Sequence, residues 1–255
     1  MAPQIRSLVD PIYRNPPLMD HPHVLKYPNI PGMQQNMFFL IHNEPESHVS
    51  ESASKYNDHE AQMAAHLASY LIMQGIPPDM ITILTMYSGQ RRKLLEYLRK
   101  ERRMGDDINL VHVCSVDGFQ GEESEVVILS LVRSNSNGAI GFLKIANRVC
   151  VALSRAKKGM YILGNGAMLC RRSELWNEII GNLEDQHPDC IGEHLMLRCQ
   201  AHPDRLTAVQ YPIDFKDVEE GGCGQPCETI LPCGHQQNAM CTLTKATLFA
   251  VNGVY

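Results

Sequence analysis

Two polar segments of this 255-residue chain carry side chains that can handle phosphate. Residues 115–123 read Ser-Val-Asp-Gly-Phe-Gln-Gly-Glu-Glu and lie between two apolar runs. Arg148 and Arg155 follow in the second segment, spaced so that both lie on one helical face. An arginine there can grip an anionic phosphate with its planar guanidinium. Because open α/β sheets bind ligands at strand ends, the two segments predict a ligand site, with a well-capped turn and a surface ion pair as the simpler interpretation.

Thiols and an imidazole near the C-terminus indicate a second kind of chemistry. Five residues at short spacing are candidate zinc ligands: Cys223, Cys227, Cys233, His235 and Cys241. Thiolate and imidazole suit tetrahedral zinc, and reduced intracellular cysteines favour a metal over disulfides. Cys199 and His202 lie apart from this group and are weaker candidates. A reduced remnant that binds no metal is the alternative.

Hydrophobic patterning predicts the elements that position these residues. Apolar runs predict strands at 37–41, 81–84, 109–113, 126–131 and 160–163. Helical spacing predicts helices after Asn57 and at 90–103, 145–156 and 173–183. Asn57, with Glu60 three residues later, is a plausible N-cap. Strands alternating with helices indicate parallel βαβ units and hence a doubly wound α/β sheet of about 150 residues.

Composition divides the chain into five parts: an irregular, proline-rich N-terminal segment (1–35), the α/β domain (36–183), an acidic linker (184–220), a Cys-rich segment (221–241) and a disordered tail (242–255). The linker interpretation depends on weak periodicity and on nine acidic against three basic residues in that segment. We therefore expect two structural units joined by an acidic linker.

The formal net charge of −5 argues against a uniformly basic surface but averages over unequal regions. Residues 91–103 hold seven bases against two acids, which predicts either contact with a phosphate backbone or an ordinary solvated helix face. No apolar run approaches the ~20 residues of a membrane span, and the N-terminus lacks a signal-peptide core. We expect a soluble protein of the cytoplasm, with the nucleus as the alternative.

Three motifs carry a family resemblance. Residues 115–123 resemble motif V of superfamily 1 helicases, and residues 151–157, Val-Ala-Leu-Ser-Arg-Ala-Lys, resemble motif VI. Residues 85–90, Thr-Met-Tyr-Ser-Gly-Gln, are similar to the Thr-Pro-Tyr-x-x-Gln signature, with Met86 replacing proline. Their order across residues 37–165 identifies the chain as a member of the upframeshift-type helicases. The Cys-rich tail makes it most similar to the NF-X-type zinc-finger helicases among them.

The resemblance implies a second RecA-like motor domain of the P-loop NTPase type, with a parallel sheet flanked by helices and a small Cys-rich tail. Arg155 would be the arginine finger on the γ-phosphate of ATP, and Gly121 and Glu123 would contact the nucleotide. The single-strand path would be lined, chiefly through backbone and sugar–phosphate contacts, by Thr85, Tyr87, Gln90, Ser115 and Asp117. The expected partners are single-stranded RNA, or DNA, and a first RecA-like domain that shares ATP and Mg²⁺.

Two departures limit what the resemblance implies. The chain has neither the P-loop lysine nor the Asp-Glu magnesium box, so we expect no ATP turnover by the chain alone. Gln237 and Thr242 replace a cysteine and a histidine of the NF-X-type finger pattern, so the finger is partial. A catalytically inactive nucleic-acid-binding module and a zinc-dependent protein-interaction fragment therefore stay open as functions.

Overall fold

The computed structural model describes residues 1–48, 54–101, 107–230 and 236–242. The strands are β1 (Met37–Ile41), β2 (Ser47–His48), β3 (Lys55–Tyr56), β4 (Ile81–Thr85), β5 (His112–Ser115), β6 (Ser124–Ser130), β7 (Ala156–Gly164), β8 (Ile191–Gly192), β9 (Leu195–Arg198), β10 (Leu206–Val209), β11 (Pro226–Ile230) and β12 (Gln236–Met240). The α-helices are α1 (Pro3–Arg6), α2 (Asp58–Met73), α3 (Ser88–Lys100), α4 (Ala146–Leu153), α5 (Gly166–Arg172) and α6 (Glu174–Gln186).

Six strands form one parallel sheet in the order β5-β4-β6-β7-β1-β8. Every residue of β4 is buried, and so is every residue of β6 except Glu125. Continuous burial of this kind is typical of a parallel strand covered on both faces. The predicted α/β architecture, a parallel sheet flanked by helices, is confirmed.

Alternate residues of each strand serve two separate apolar cores, one on each face of the sheet. Phe39 of β1 points into the core that contains Trp176 of α6, and its neighbours Phe38 and Leu40 point into the core that contains Tyr70 of α2. The first core also includes three residues of the proline-rich N-terminal segment, Ile5, Leu8 and Val9. That segment is therefore partly packed into the domain.

The element boundaries differ from the predicted ones by a few residues. Residues 107–110 form a 3₁₀ turn, so the strand predicted at 109–113 begins only at His112. The apolar pattern does not predict α5, because this helix is short and follows β7 directly. The Asn165 side chain caps it by accepting a hydrogen bond from the Met168 N–H. Among the described residues, no helix is long and apolar enough to cross a bilayer.

The acidic segment 184–220 contains more structure than a linker. Strand β8 extends the main sheet, and β9 and β10 form an antiparallel hairpin. The following apolar residues of the segment are buried in the core on the α2 side: Leu195, Leu197, Val209, Phe215 and Val218. Their short apolar pattern is hidden in the sequence by the surrounding acids. Beyond it, β11 and β12 pair antiparallel, and the predicted tail lies outside the described residues except for Thr242.

Candidate nucleotide and nucleic-acid site

The predicted site residues divide between the two edges of the sheet. Thr85 and Ser115 pair in register at the carboxyl ends of β4 and β5. Glu123 and Arg155 instead directly precede β6 and β7, whose first residues pair at the amino edge. The polar site residues lie at strand ends but at both edges of the sheet, because the 116–123 segment connects opposite ends of two parallel strands. The structure therefore separates the residues assigned to nucleotide from most of those assigned to nucleic acid.

The Arg155 side chain is held by the two segments that the sequence singles out. Its Nε donates to the Val151 carbonyl (3.1 Å) and its Nη1 to the Glu122 carbonyl (3.2 Å). Its Nη2 donates to the Ser154 hydroxyl (2.8 Å). The Ser124 N–H donates to the Arg155 carbonyl at 3.0 Å, which joins the same two segments through the backbone. The guanidinium is thus oriented by neutral acceptors.

Gly121 and Glu123 lie on the exposed part of the 115–123 segment, near Arg155. Gly121 has φ of +87°, and a Cβ there would meet no atom within 4 Å, so backbone conformation rather than space favours glycine. The Glu123 carboxylate lies 2.8 Å from Lys157 Nζ. The hydrogen bond from Lys157, together with the Lys157 charge, lowers the pKa of Glu123. The carboxylate is therefore ionised and open to solvent.

Asp117 and Arg148 connect the start of the same segment to α4. Arg148 Nη2 donates to Asp117 Oδ2 at 2.8 Å, and its guanidinium carbon lies 4.4 Å from the centre of the Phe142 ring. A cavity of about 150 Å³ opens beside the pair, between Gln120 and Val151. Arg148 thus forms the surface ion pair that the simpler interpretation predicts, and Asp117 remains exposed.

Three of the five residues assigned to the single-strand path are buried. Thr85 and Gln90 are fully buried, and Tyr87 is 6% exposed. Gln90 Nε2 donates to the Asn57 carbonyl (3.0 Å) and the Ser130 hydroxyl (2.9 Å), while its Oε1 accepts from the Asn57 N–H (2.8 Å). The Gln90 side chain therefore has internal partners and supports the carboxyl edge from within.

Tyr87, which follows β4, packs against the loop that follows β6. Its hydroxyl lies 3.3 Å from Arg133 Nη1 and accepts from the Phe142 N–H at 3.3 Å. Gly141 allows this approach, because a Cβ there would lie 2.4 Å from the Tyr87 hydroxyl oxygen. Arg133 in turn pairs with the Glu46 carboxylate at 2.8 Å. The motif tyrosine thereby orders the loop at residues 132–142.

Glu60 connects several residues at the carboxyl edge of the sheet, a role that the sequence analysis does not predict. The predicted N-cap is confirmed, since the Asn57 side chain accepts from the Glu60 N–H. The fully buried Glu60 carboxylate, however, accepts from the Ser130 hydroxyl (2.6 Å) and from the Val132 N–H (2.8 Å), and it lies 3.0 Å from His42 Nε2. Val132 has φ of +70°, rare for a β-branched residue, so these bonds hold a strained loop start. The only signal in the sequence was an acid inside an apolar helix pattern.

The basic helix α3 is partly neutralised by its own surroundings. Lys93 and Lys100 both pair with Glu96, at 3.2 and 2.7 Å. Arg91 Nε donates to the Val113 carbonyl at 2.9 Å. Arg92 and Arg99 are exposed, and residues 102–103 lie outside the described residues. Contact between α3 and a phosphate backbone stays a prediction.

A separate group of metal-ligating atoms lies at the far end of the chain. The sulfur or nitrogen ligand atoms of Cys199, His202, Cys223 and Cys241 all lie within 4.8 Å of one another, and we call these residues the Cys₃His cluster. Burial opposes ionisation of Cys199, but hydrogen bonds from the other three members lower its pKa to about 7. Predicted ligands Cys233, His235 and the Cys227 side chain lie outside the described residues. The structure thus joins two of the predicted ligands to the two weaker candidates.

Comparison with known proteins agrees with the fold and the motif positions. A family profile described as an AAA domain matches residues 1–167. The chain belongs to this family. The matched range includes both polar segments, Tyr87, the loop at residues 132–142 and all strands of the main sheet except β8. Together with the relatives described next, it places the chain among the upframeshift-type superfamily 1 helicases, as the motifs predict.

Several known proteins are similar to this chain. NFX1-type zinc finger-containing protein 1 of Mus musculus is 46% identical over 242 residues, which are 94% of this chain and 12% of that protein. Helicase required for RNAi-mediated heterochromatin assembly 1 of Schizosaccharomyces pombe is 40% identical over 86% of this chain and 21% of its own length. ATP-dependent helicase NAM7 of Saccharomyces cerevisiae is 38% identical over 56% of this chain and 15% of its own length. The chain therefore spans a small part of each relative.

Proposed function

We propose that this chain is the C-terminal motor domain of an ATP-dependent helicase that acts on RNA, or on DNA, and that Arg155 is its arginine finger. The observation that carries the proposal is the anchoring of Arg155 between motif-like segments at the amino edge of the sheet. An arginine has five N–H donors, and the three internal hydrogen bonds leave one on each terminal nitrogen. No carboxylate of the described residues forms an ion pair with it. The side chain is therefore oriented, while its charge stays available to a phosphate.

The ATP in this proposal is shared with a P-loop domain outside this chain. That domain would supply the magnesium site and the phosphate cradle, and Arg155 would stabilise the charge that develops during phosphoryl transfer. Gly121 and Glu123 lie on the same exposed surface, where the Glu123 carboxylate can accept hydrogen bonds from ribose hydroxyls. Their position next to Arg155 supports a common nucleotide contact.

The single strand would pass along the carboxyl edge. Ser115 and Asp117 present polar groups there, whereas Thr85, Tyr87 and Gln90 shape the edge from within. Contacts of this kind to sugar and phosphate give affinity without sequence preference. The proposal places the protein in the cytoplasm or the nucleus, where its single-stranded partner would be available.

Phosphate release from ATP tests the proposal on two proteins: this chain alone, and a protein in which it is joined to its P-loop domain. The chain alone should show no turnover with or without single-stranded RNA. In the joined protein, Arg155→Ala should lower RNA-stimulated kcat by about 10³–10⁵ and leave nucleotide binding nearly unchanged. Arg171→Ala, which removes an exposed arginine on α5, is the matched control and should retain activity. Full activity of Arg155→Ala would refute the assigned role.

Two other functions give different results with the same proteins. An inactive nucleic-acid-binding module would bind a fluorescent single strand, with affinity that falls steeply as salt rises, but Arg155→Ala would not alter hydrolysis. A zinc-dependent protein-interaction fragment would show partner binding that is insensitive to salt and lost on chelation.

A further inference from the structure

Four side chains that can bind a metal, from three separate parts of the chain, lie close together. Cys199 follows β9, His202 lies in the β9–β10 turn, Cys223 precedes β11 and Cys241 follows β12. The Cys199 and Cys241 sulfurs are 3.7 Å apart, and His202 Nδ1 lies 3.8 Å from Cys199 Sγ and 3.3 Å from Cys223 Sγ. Four potential ligand atoms are thus gathered around one point.

These separations match the edges of a tetrahedral zinc site. Zinc binds sulfur at about 2.3 Å and imidazole nitrogen at about 2.0–2.1 Å. Tetrahedral angles then place two sulfurs about 3.8 Å apart, and a sulfur and a nitrogen about 3.6 Å apart. The distances within the Cys₃His cluster lie close to both values. They are also far longer than the S–S bond of about 2.05 Å in a disulfide, and all three cysteines are free.

The surrounding backbone is shaped to bring the ligands together. A Cβ on Gly222 would lie 2.1 Å from the Cys241 carbonyl oxygen, so only glycine allows the backbone at residue 222 to approach the backbone at residue 241 this closely. The Cys241 N–H donates to the Gln225 carbonyl at 2.7 Å, and the Cys199 N–H donates to the Arg205 carbonyl at 3.2 Å. Cys199 and Cys241 are 5% and 3% exposed. The cluster is therefore a built and enclosed site.

The same region is bonded to the C-terminal end of α2 in the motor domain. Gln74, which is 1% exposed, donates from Nε2 to the Gly221 carbonyl at 2.8 Å. Gln200 Nε2 donates to both the carbonyl and the side-chain oxygen of Gln74, at 3.0 Å each. Tyr70 of α2 and Val218 line the small space beside Cys199 and Cys223. The cluster thus lies against the domain rather than apart from it.

We propose that Cys199, His202, Cys223 and Cys241 bind one zinc ion in a closed tetrahedral site that fastens the chain after residue 190 to α2. Three thiolates and one imidazole are a full structural ligand set, with no position left for a substrate. This set takes half of its ligands from the segment predicted as a linker, and it does not require Cys227, Cys233 or His235. It depends on the cluster alone and is independent of the helicase proposal.

Metal content of the purified full chain is the first test. The chain should carry about one zinc per molecule, measured by elemental analysis after dialysis. Cys199→Ser, His202→Ala and Cys241→Ser should each lose most of it. Cys190→Ser, at a buried cysteine outside the cluster, is the matched control and should retain it. Loss of zinc from a triple variant of Cys227, Cys233 and His235, with retention by Cys199→Ser, would overturn the proposed ligand set.

Cobalt substitution tests the ligands even where a serine variant fails to fold. With Co²⁺ in place of zinc, the chain should give visible bands of tetrahedral cobalt and near-ultraviolet charge transfer from three thiolates. His202→Cys should keep the metal, because thiolate also binds zinc, while the charge-transfer absorption grows toward that of four thiolates and the visible bands move to longer wavelength. An unchanged spectrum in His202→Cys, or octahedral cobalt in the wild-type chain, would refute the site. So would a Cys199–Cys241 disulfide in chain purified under reducing conditions.

Discussion

At the scale of single residues, Glu46 gathers three hydrogen-bond donors from the loop at residues 132–142. Its Oε2 accepts from Arg133 Nε (2.8 Å), the Ser134 N–H (2.9 Å) and Asn135 Nδ2 (2.8 Å). The side chains of Glu46 and Arg133 are 8% and 9% exposed. Burial raises the pKa of Glu46, but these hydrogen bonds and the Arg133 charge outweigh it, and the pKa is lowered from 4.5. The ionised form is therefore preferred in the folded protein.

A lowered carboxyl pKa in the folded state stabilises the protein above the ordinary pKa, and the gain is lost as the pH falls through the folded value. We expect Glu46→Gln to lower the free energy of unfolding by about 2 kcal/mol at pH 7, because three donors lose a charged acceptor. The difference from the wild type should start to shrink as the pH falls below 4.5, the ordinary pKa of the carboxyl, and should be lost once the pH passes the lowered pKa of the folded state. Urea unfolding at several pH values measures this. Glu193→Gln, at an exposed carboxylate, should show neither effect, and a Glu46→Gln deficit independent of pH would contradict the assignment.

At the scale of elements, the start of α2 connects the helix to the sheet edge. Asn57 is fully buried and caps the helix by accepting from the Glu60 N–H at 3.1 Å. Its Nδ2 donates to the Glu44 carbonyl at 3.0 Å and lies 3.4 Å from the Val132 carbonyl oxygen. One side chain therefore satisfies the helix terminus and the strained loop after β6. A cap in this position contributes to two elements at once.

Asn57→Ala should cost more than an ordinary cap. Loss of a capping side chain costs about 0.5–2 kcal/mol, and carbonyls left without a partner add about 1–3 kcal/mol. Ser173→Ala is the matched control, since Ser173 caps α6 through a single 3.4 Å bond from the Trp176 N–H. Its cost should stay near the lower end of the capping range. Equal costs for the two variants in denaturant unfolding would show that the second role of Asn57 is unimportant.

At the scale of the whole molecule, the acidic segment completes the core on the α2 side. Phe215 is 5% exposed and packs against the Tyr70 ring, with centroids 6.3 Å apart, and against His66 at 5.7 Å. Ile213, two residues earlier in the same 3₁₀ segment, is 56% exposed. The net charge of −5 therefore combines a basic α3 surface with an acidic segment that is part of the fold.

Phe215→Ala should lower the free energy of unfolding by about 3–5 kcal/mol, because it leaves a cavity between the segment and α2. Ile213→Ala is the matched control and should change it by less than about 1 kcal/mol, since most of its side chain is already in water. Both values come from urea unfolding of the full chain, read by fluorescence of the buried Trp176. A cost for Phe215→Ala as small as the control would mean that residues 184–220 act only as a linker.

The parallel α/β fold, the family and the segments around Arg155 could all be predicted from the sequence, because they depend on local apolar runs and short motifs. The sequence also placed the N-cap at Asn57, which is a local hydrogen bond. Other features depend on contacts between residues far apart in the chain. These are the burial of Gln90, the hydrogen bonds of the Glu60 carboxylate and the division of site residues between two edges of the sheet. The Cys₃His cluster belongs to the same class, since Cys199 and His202 meet Cys223 and Cys241 only in the folded chain. Spacing along the chain reports local geometry, and tertiary packing decides which distant groups meet.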